Sequence, residues 1–284
     1  MDAACLGSAP EMSIQPQTSV VSRFHILVWG AGDLPPVVCI HRARGHARRF
    51  ERVARMMTEE RRVIAYDLRG HGRSPWSGLH TLAQHAADLD EVLEEVGAGQ
   101  VVLVGDGFGC RVALEYTADH GGRVTALALL DPPLRPDAER MRKLAAAERR
   151  SKVYANADAA IAEWPGYAGR HHTPGALIEE DVAEHLVVDQ DGRLRFRYSH
   201  DAAAAALEAM AEPADGLKEI VCPVLIVRGE RSDMLTAADA EWAAAGLRRC
   251  RLEVVPGGHV PLWDALAESG ALVRSFVAAQ RARA

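Results

Sequence analysis

The side chains that could carry chemistry in this chain gather around two glycine-rich segments. Residues 100–114 (QVVLVGDGFGCRVAL) place Asp106 and Cys110 among three glycines, and residues 256–259 (PGGH) end on His259. A carboxylate or a thiol can attack an electrophilic carbon. An imidazole exchanges protons near neutral pH. These residue types predict nucleophilic or acid–base catalysis.

The elements that must position these residues alternate along the chain. Short apolar runs predict strands at 25–29, 37–40, 63–66, 101–104, 124–130, 224–227 and 252–255. The runs are continuous rather than alternating, as is typical of strands covered on both faces. Residues 81–96 place apolar side chains at helical spacing between two of these runs. Strand, helix and strand in turn predict an α/β fold: a mostly parallel central sheet flanked by helices.

One long stretch interrupts this alternation. Between Asp131 and Pro223 the pattern is helical at 136–150 and 201–210, with a hairpin-like piece at 187–198 around Asp191-Gly192. Parallel sheets place their ligands at the carboxyl ends of the strands. We therefore predict a core formed by 1–133 and 221–284, with a helical cap insertion at 134–220 laid over those strand ends.

Composition excludes several classes of protein. The net charge of −6 disfavours nucleic acid, which requires a concentrated basic surface. No apolar run is long enough to span a membrane. The five scattered cysteines, Cys5 among them, form no C-x-x-C pair, and the amino terminus has no apolar signal region. We expect a cytoplasmic protein that binds a small molecule, without a metal or cofactor, and leave a homodimer open.

Three motifs together resemble the α/β-hydrolase fold superfamily. Residues 62–75 (RVIAYDLRGHGRSP) resemble the turn after its fourth strand. Residues 100–114 resemble the nucleophile elbow, G-x-Nu-x-G, between a strand and a helix. Residues 252–266 (LEVVPGGHVPLWDAL) resemble the last strand and the loop that delivers the catalytic histidine, here His259. The resemblance covers nearly the whole chain outside the insertion.

The chain departs from the family at the nucleophile. In the elbow register Gly107 stands where the family has a nucleophilic side chain, so covalent catalysis through this position is excluded. A register with Asp106 as nucleophile would put Val104 and Phe108 where the turn requires small residues. Cys110 lies beyond the elbow at a helical position expected to face the core.

The resemblance also implies an acid and an oxyanion site. The acid would follow the strand PVLIVRG, which favours Asp233, with Asp131 as the second candidate. Backbone N–H groups of Phe108 and Ala43 would stabilise an oxyanion. The family's usual His-Gly appears here as His41-Arg42. We include Asp106 and His41 among the expected substrate-binding residues.

Other patterns have simpler interpretations. The basic cluster of Arg42, Arg44, Arg48 and Arg49 is expected on a solvated helix face.

The pair His171-His172 lacks a partner at metal-ligand spacing, which disfavours zinc. Gly105-x-Gly107 imitates a dinucleotide-binding fingerprint, but its third glycine is replaced by Cys110 and the acidic Asp131 comes late.

Two functions remain open from the sequence. The first is an atypical enzyme in which His259 and an aspartate act as general base on a hydrophobic small molecule. Non-covalent hydrolysis and lyase, cyclase or cofactor-free oxygenase reactions would all suit it, and secondary metabolism is a setting by analogy. The alternative is a catalytically silent ligand-binding or scaffolding protein.

Overall fold

The computed structural model describes residues 16–18, 22–59, 61–150, 152–167 and 171–280. The expectations for the amino terminus and Cys5 lie outside these residues. The strands are β1 (Gln17–Thr18), β2 (Ile26–Trp29), β3 (Val37–Ile40), β4 (Val63–Tyr66), β5 (Val101–Asp106), β6 (Val124–Leu130), β7 (Leu186–Val188), β8 (Leu194–Phe196), β9 (Val224–Gly229) and β10 (Cys250–Val255).

The helices alternate with these strands. They are α1 (Glu51–Arg55), α2 (Leu82–Glu95), α3 (Phe108–Asp119), α4 (Ala138–Glu148), α5 (Ala157–Tyr167), α6 (Gly175–His185), α7 (His200–Met210), α8 (Ala237–Gly246), α9 (Pro261–Asp264) and α10 (Leu266–Ala278), with short 3-10 helices at Ala47–Phe50 and Leu217–Glu219. The predicted strands are all present, with ends that differ by a few residues. Helices α5 and α6 were not distinguished in the sequence because their apolar spacing is weak.

Eight strands form one sheet in the order β1-β2-β4-β3-β5-β6-β9-β10. Strand β2 runs antiparallel to its neighbours β1 and β4, and the remaining pairs are parallel. This architecture confirms the predicted mostly parallel sheet flanked by helices. The parallel strands bring the residues that follow β3, β5, β6, β9 and β10 to one edge of the sheet.

Burial on both faces explains the continuous apolar runs. In β3, Val38 and Ile40 join one buried cluster, whereas Val37 and Cys39 join the cluster on the opposite face. Successive side chains of a strand point to opposite faces, so both must be apolar when helices cover both. The hydrophobic pattern therefore reports the layer arrangement directly.

The segment between β6 and β9 adds no strand to the sheet within its described residues. It holds helices α4 to α7 and the antiparallel hairpin of β7 and β8, with Gly192 at positive φ (75°) in the turn. Its own buried cluster includes Trp164, Phe196 and Tyr198. We call residues 134–220 the inserted segment; its separation from the core at these boundaries stays a prediction.

Two buried ion pairs join the inserted segment to the core. Arg44 contacts Glu148, whose side chain is fully buried. Arg49 makes two hydrogen bonds to the fully buried carboxylate of Asp181, at 2.8 and 2.7 Å. Removing one partner of such a pair leaves an uncompensated buried charge, so both contacts constrain where the segment sits.

Candidate active site

The strand-to-helix turn at Gly107 has the form of a nucleophile elbow. Gly107 lies between β5 and α3 with φ 55° and ψ −115°, a conformation that L side chains rarely adopt. Its N–H donates to the carbonyl of Leu130 on the neighbouring strand at 3.1 Å. This sharp turn would present a side chain at position 107 above the sheet edge. Here the position carries only hydrogen.

The two flanking glycines are required by close approach. A Cβ at Gly109 would lie 2.0 Å from the carbonyl oxygen of Ile40, and one at Gly105 would lie 2.7 Å from the backbone of Cys110. Neither position can therefore hold a side chain without moving backbone. This supports the register in which Gly107, and not Asp106, occupies the elbow.

Asp106 points to an arginine rather than to a substrate. Arg42 donates from Nε and Nη2 to the two carboxylate oxygens of Asp106 at 2.8 and 2.7 Å, and Nη2 also donates to the carbonyl of His259 at 2.6 Å. Burial works to raise the pKa of Asp106, but the charge and hydrogen bonds of Arg42 outweigh it and hold that pKa below its usual value. Burial likewise works to lower the pKa of Arg42, and the charge of Asp106 more than offsets it, so that pKa is raised.

Arg42 also occupies the space above the elbow. A Cβ on Gly107 would lie 3.0 Å from the Cβ of Arg42 and 3.6 Å from its Nη2. The expectation of a solvated basic cluster was wrong for Arg42 and Arg49, which are 5% and 7% exposed, because buried carboxylates hold them inside. Arg48, with 37% of its side chain exposed, follows the expectation.

His259 pairs with Asp131. Its Nδ1 lies 2.6 Å from Oδ2 of Asp131, which is fully buried and directly follows β6. Asp131 also accepts from the N–H of Gly229 at 3.0 Å and from the hydroxyl of Ser232 at 2.5 Å. Its φ of 47° is rare for a residue with a side chain, so the contacts fix a strained orientation. Because the carboxylate accepts a hydrogen bond from the N–H at Nδ1, Nε2 of His259 is the nitrogen that can take part in a reaction.

The preference for Asp233 is corrected by this geometry. Asp233 has 63% of its side chain exposed and pairs with Arg140 at 2.5 Å. Burial works to raise its pKa, but the hydrogen bond and charge of Arg140 lower it. Asp131 and Asp233 both follow strands that end at the same sheet edge, and the fold turns only Asp131 toward His259.

A close approach of two loops sets the position of His259. A Cβ on Gly229 would lie 1.8 Å from the carbonyl oxygen of Gly258, so β9 and the loop after β10 touch backbone to backbone. The N–H of Gly258 donates to Asp264 at 2.7 Å. The PGGH loop is therefore held from both sides, which places the imidazole beside Asp131.

His41 supports the loop after β3 and does not contact the cavity. It is 1% exposed; its Nε2 accepts from the N–H of Leu68 at 2.9 Å, and its Nδ1 lies 2.7 Å from the carbonyl of Arg42. Burial lowers its pKa well below the usual value, and the neighbouring His71 adds to this. The expectation that His41 binds substrate is corrected: its ring nitrogens are used to tie two loops together.

The expected oxyanion donors face the same cavity. Ala43 and Phe108 both line it, and their backbone N–H groups make no hydrogen bond within the described parts of the chain. Phe108 is the first residue of α3, where helix N–H groups have no partner in the helix. Two free N–H groups beside a candidate base can stabilise developing negative charge.

Cys110 is closed to chemistry. It is fully buried, its thiol donates to the carbonyl of Gly105 at 3.1 Å, and burial raises its pKa well above the usual value. A thiol that stays protonated and enclosed is not a nucleophile. The expectation that it faces the core agrees with this placement.

A cavity of about 300 Å³ lies between the sheet edge and the inserted segment. Its lining includes His259, Ala43, Phe108 and Asp233 from the core, and helices α4 and α7 contribute Leu144, Leu207 and Met210. Asp106, Asp131 and His41 do not line it. His171 and His172, whose role the sequence left undecided, line the cavity.

One cluster of metal-ligating groups occurs among the residues that the structure describes. Donor atoms of His46, Asp181 and His185 lie within 4.8 Å of one another. Both oxygens of Asp181 already accept hydrogen bonds, from Arg49 and from the indole of Trp164 at 2.6 Å. A guanidinium in contact with the carboxylate supplies the positive charge that a metal would bring, so the cluster does not fit a cation. In the described part of the chain, no helix is long and apolar enough to cross a bilayer.

The sequence over most of the chain matches the model of a known protein family. The family model described as "Serine aminopeptidase, S33" matches residues 35–259, which is most of the chain. The chain therefore belongs to this family of the α/β-hydrolase superfamily.

Its relatives are hydrolase enzymes of that superfamily. Lipase LipV of Mycobacterium tuberculosis is 32% identical over 229 residues, which cover 79% of this chain and 85% of that protein. A non-heme haloperoxidase of Rhodococcus erythropolis is 32% identical and covers 69% of this chain and 74% of its own. The crystal structure of E-2-(acetamidomethylene)succinate hydrolase superposes with a TM-score of 0.82 at 23% identity over 94% of this chain and all of that one, which shows the shared fold.

Proposed function

We propose that this chain is an atypical α/β-hydrolase-family enzyme in which His259, oriented by Asp131, acts as a general base without a covalent enzyme intermediate. The observation that carries the proposal is the 2.6 Å contact between Nδ1 of His259 and Oδ2 of Asp131. This contact holds the imidazole in the tautomer that leaves Nε2 able to accept a proton. It also stabilises the imidazolium that forms when Nε2 takes that proton.

The absence of a usable nucleophile supports the non-covalent route. Gly107 has no side chain, Asp106 is held on both oxygens by Arg42, and Cys110 is enclosed in the core. His259 would instead remove a proton from water or from the substrate. In the hydrolytic case hydroxide adds to the carbonyl carbon, and the N–H groups of Ala43 and Phe108 stabilise the oxyanion. The imidazolium then returns the proton to the leaving group as the bond to it breaks.

General-base catalysis of this kind contributes roughly 10²- to 10⁴-fold in rate. That is a fraction of what complete enzymes achieve, so the proposal suits substrates that are already activated or that carry an acidic C–H bond. Non-covalent hydrolysis and lyase, cyclase or cofactor-free oxygenase chemistry remain the reaction classes that such a site can serve.

The second candidate is a silent ligand-binding protein. The observation in its favour is that Arg42, which is paired with Asp106, occupies the space above Gly107, so a side chain fills part of what would be a hydrolase site. In that case His259 would only contact a ligand. The two functions predict different consequences of replacing His259.

A matched pair of histidine variants tests the proposal. His259→Gln and His171→Gln both remove an imidazole from the cavity lining, but only the first touches Asp131. With a panel of activated aryl esters, thioesters and lactones, we expect His259→Gln to lower kcat by at least 100-fold and His171→Gln by less than 5-fold. Full activity of His259→Gln would exclude the base. Absence of turnover in the unaltered protein, with only ligand affinity altered in His259→Gln, would select the binding protein.

Mass spectrometry of the protein during turnover tests the non-covalent route. We expect no acylated protein at any time after mixing with a 4-nitrophenyl ester. An acyl group located on Asp106 or Cys110 would overturn this part of the proposal while leaving the role of His259 intact.

A further inference from the structure

The cavity wall combines apolar and charged side chains. Its apolar residues include Phe108, Leu144, Leu207, Met210 and Met234. Among the residues that the structure describes, the lining also includes five arginines, namely Arg42, Arg44, Arg49, Arg140 and Arg231. The cavity is therefore amphipathic, with space for an apolar body and a charged group.

The carboxylates that balance these arginines stand mostly behind them. Asp106, Glu148 and Asp181 are 6%, 1% and 2% exposed, and none of them lines the cavity. Among the described residues of the lining, the one carboxylate is that of Asp233, which is exposed and bound to Arg140. Most arginines of the lining are therefore paired with carboxylates that do not themselves line the cavity.

Arg49 has a donor left over. Its Nε and Nη2 are committed to Asp181, and Nη1 is buried without a hydrogen-bond partner in the described parts of the chain. A buried donor that stays unsatisfied costs about 1–3 kcal/mol, so few are kept without a partner. The guanidinium is also flanked by the rings of Trp164 and Trp263, with Cζ 5.8 and 5.6 Å from their centroids. The guanidinium of Arg49 is therefore charged and held in place, and one of its nitrogens has no hydrogen bond to the described residues.

We infer that the cavity binds a small molecule that carries a carboxylate, and that the positive charges of Arg49 and Arg231 attract that carboxylate. A carboxylate is the group that a guanidinium recognises best, because it is planar, carries the opposite charge and accepts hydrogen bonds. Arg231, which has no ion pair among the described residues, lines the same cavity and adds positive charge. The apolar part of the ligand would lie against Phe108 and Met210. The inference rests on the proposed function in one respect: it names the substrate class for the base at His259.

Direct binding tests this without turnover. Isothermal titration of the full chain would use phenylacetate and 4-phenylbutanoate, each beside its amide. The amide has nearly the same shape but no charge. We expect at least one carboxylate to bind 10-fold or more tightly than its amide. Equal affinity within both pairs, or no binding of either carboxylate, would overturn the inference.

Neighbouring arginines supply the matched variants. Arg49→Met should remove the preference for carboxylate over amide, whereas Arg48→Met should keep it, because Arg48 pairs with Glu51 and does not line the cavity. Since Arg49→Met leaves Asp181 short of a partner, the double variant Arg49→Met, Asp181→Asn removes both charges and serves as the folded control by circular dichroism. An unchanged preference in folded Arg49 variants would refute the role of Arg49.

Titration of His259→Gln separates this inference from the proposed function. If that variant loses turnover but keeps the preference for carboxylate, both proposals stand. If it keeps turnover and the preference, the base fails and the anion site stands.

Discussion

The candidate site has two halves that differ in what fills them. In the base half, His259, Asp131, Gly229 and Ser232 form a closed hydrogen-bond system in which every polar atom of the carboxylate is used. In the elbow half, the backbone turn at Gly107 is present, but an arginine from the neighbouring loop stands where a nucleophile would project. Asp131 of the base half and Gly107 of the elbow half follow the adjacent strands β6 and β5. Backbone geometry and side-chain chemistry are therefore separable in this fold.

The largest expected effect comes from breaking the base half. Asp131→Asn keeps the size of the side chain but cannot hold the imidazolium, so we expect kcat to fall by roughly 10²- to 10⁴-fold. Asp233→Asn is the control that the sequence would have chosen as the acid, and we expect less than a 3-fold change. Steady-state rates on the best substrate of the panel measure both. The reverse ranking would restore Asp233 as the acid.

Breaking the elbow half should cost stability more than activity. Arg42→Met leaves the carboxylate of Asp106 buried and unpaired, and we expect the free energy of unfolding to fall by about 3–5 kcal/mol. Urea unfolding followed by circular dichroism measures it. The exposed pair Arg142 and Glu212 is the control, because Arg142→Met should cost under about 1 kcal/mol. Equal costs at the two positions would mean that the buried pair does not anchor the loop.

Acid should destabilise the loop that carries Arg42, because a buried histidine contacts this loop. His71 is fully buried; its Nε2 accepts from the N–H of Arg44, and burial lowers its pKa to about 4. Because the unfolded chain takes up this proton first, the contribution of His71 is complete above about pH 6.5 and declines as the pH falls toward 4. We expect this residue alone to account for roughly 3 kcal/mol of lost stability over that range.

His71→Asn isolates that contribution. The difference in unfolding free energy between the unaltered protein and His71→Asn should be larger at pH 7 than at pH 4, and nearly constant from pH 7 to pH 8. Urea unfolding at these three pH values measures it. A difference that does not depend on pH would show that His71 takes up no proton on unfolding.

The smallest expected effect is the return of a nucleophile. Gly107→Ser alone places a Cβ 3.0 Å from that of Arg42 at a positive φ, so we expect a loss of about 1–3 kcal/mol and no gain in esterase activity. Combining it with Arg42→Gly and Asp106→Asn opens the space. We expect a gain of 10-fold or more in aryl-ester hydrolysis over the Arg42→Gly, Asp106→Asn control. Esterase activity of Gly107→Ser alone would show that the side chain of Arg42 moves aside.

Much of the scaffold was predictable because its signals are local. Continuous apolar runs located the strands, and alternating glycines located the turn at Gly107, where close approach excludes side chains on either flank. The PGGH sequence identified His259 by resemblance. These features depend on residues that are neighbours in the chain.

The choice of partners was not predictable, because it depends on residues far apart in the chain. Asp131 and Asp233 both follow strands at one sheet edge, and only the fold shows that Gly229 and Ser232 orient Asp131. The inward turn of Arg42 depends on Asp106, 64 residues away. One signal in the sequence could have suggested this contact. An arginine follows β3 at position 42, and an aspartate of opposite charge stands at the variable elbow position, 106.

The two buried ion pairs between core and inserted segment also bear on how a ligand enters. Lifting the segment away would separate Arg44 from Glu148 and Arg49 from Asp181, and each separation strands a buried carboxylate at a cost of several kcal/mol. Entry by such an opening would be rare on the timescale of turnover. The exposed pair of Arg140 and Asp233 lies at the cavity and parts at little cost. Rotation of two surface side chains takes about nanoseconds, so a path between them would open far faster than one that requires the inserted segment to lift.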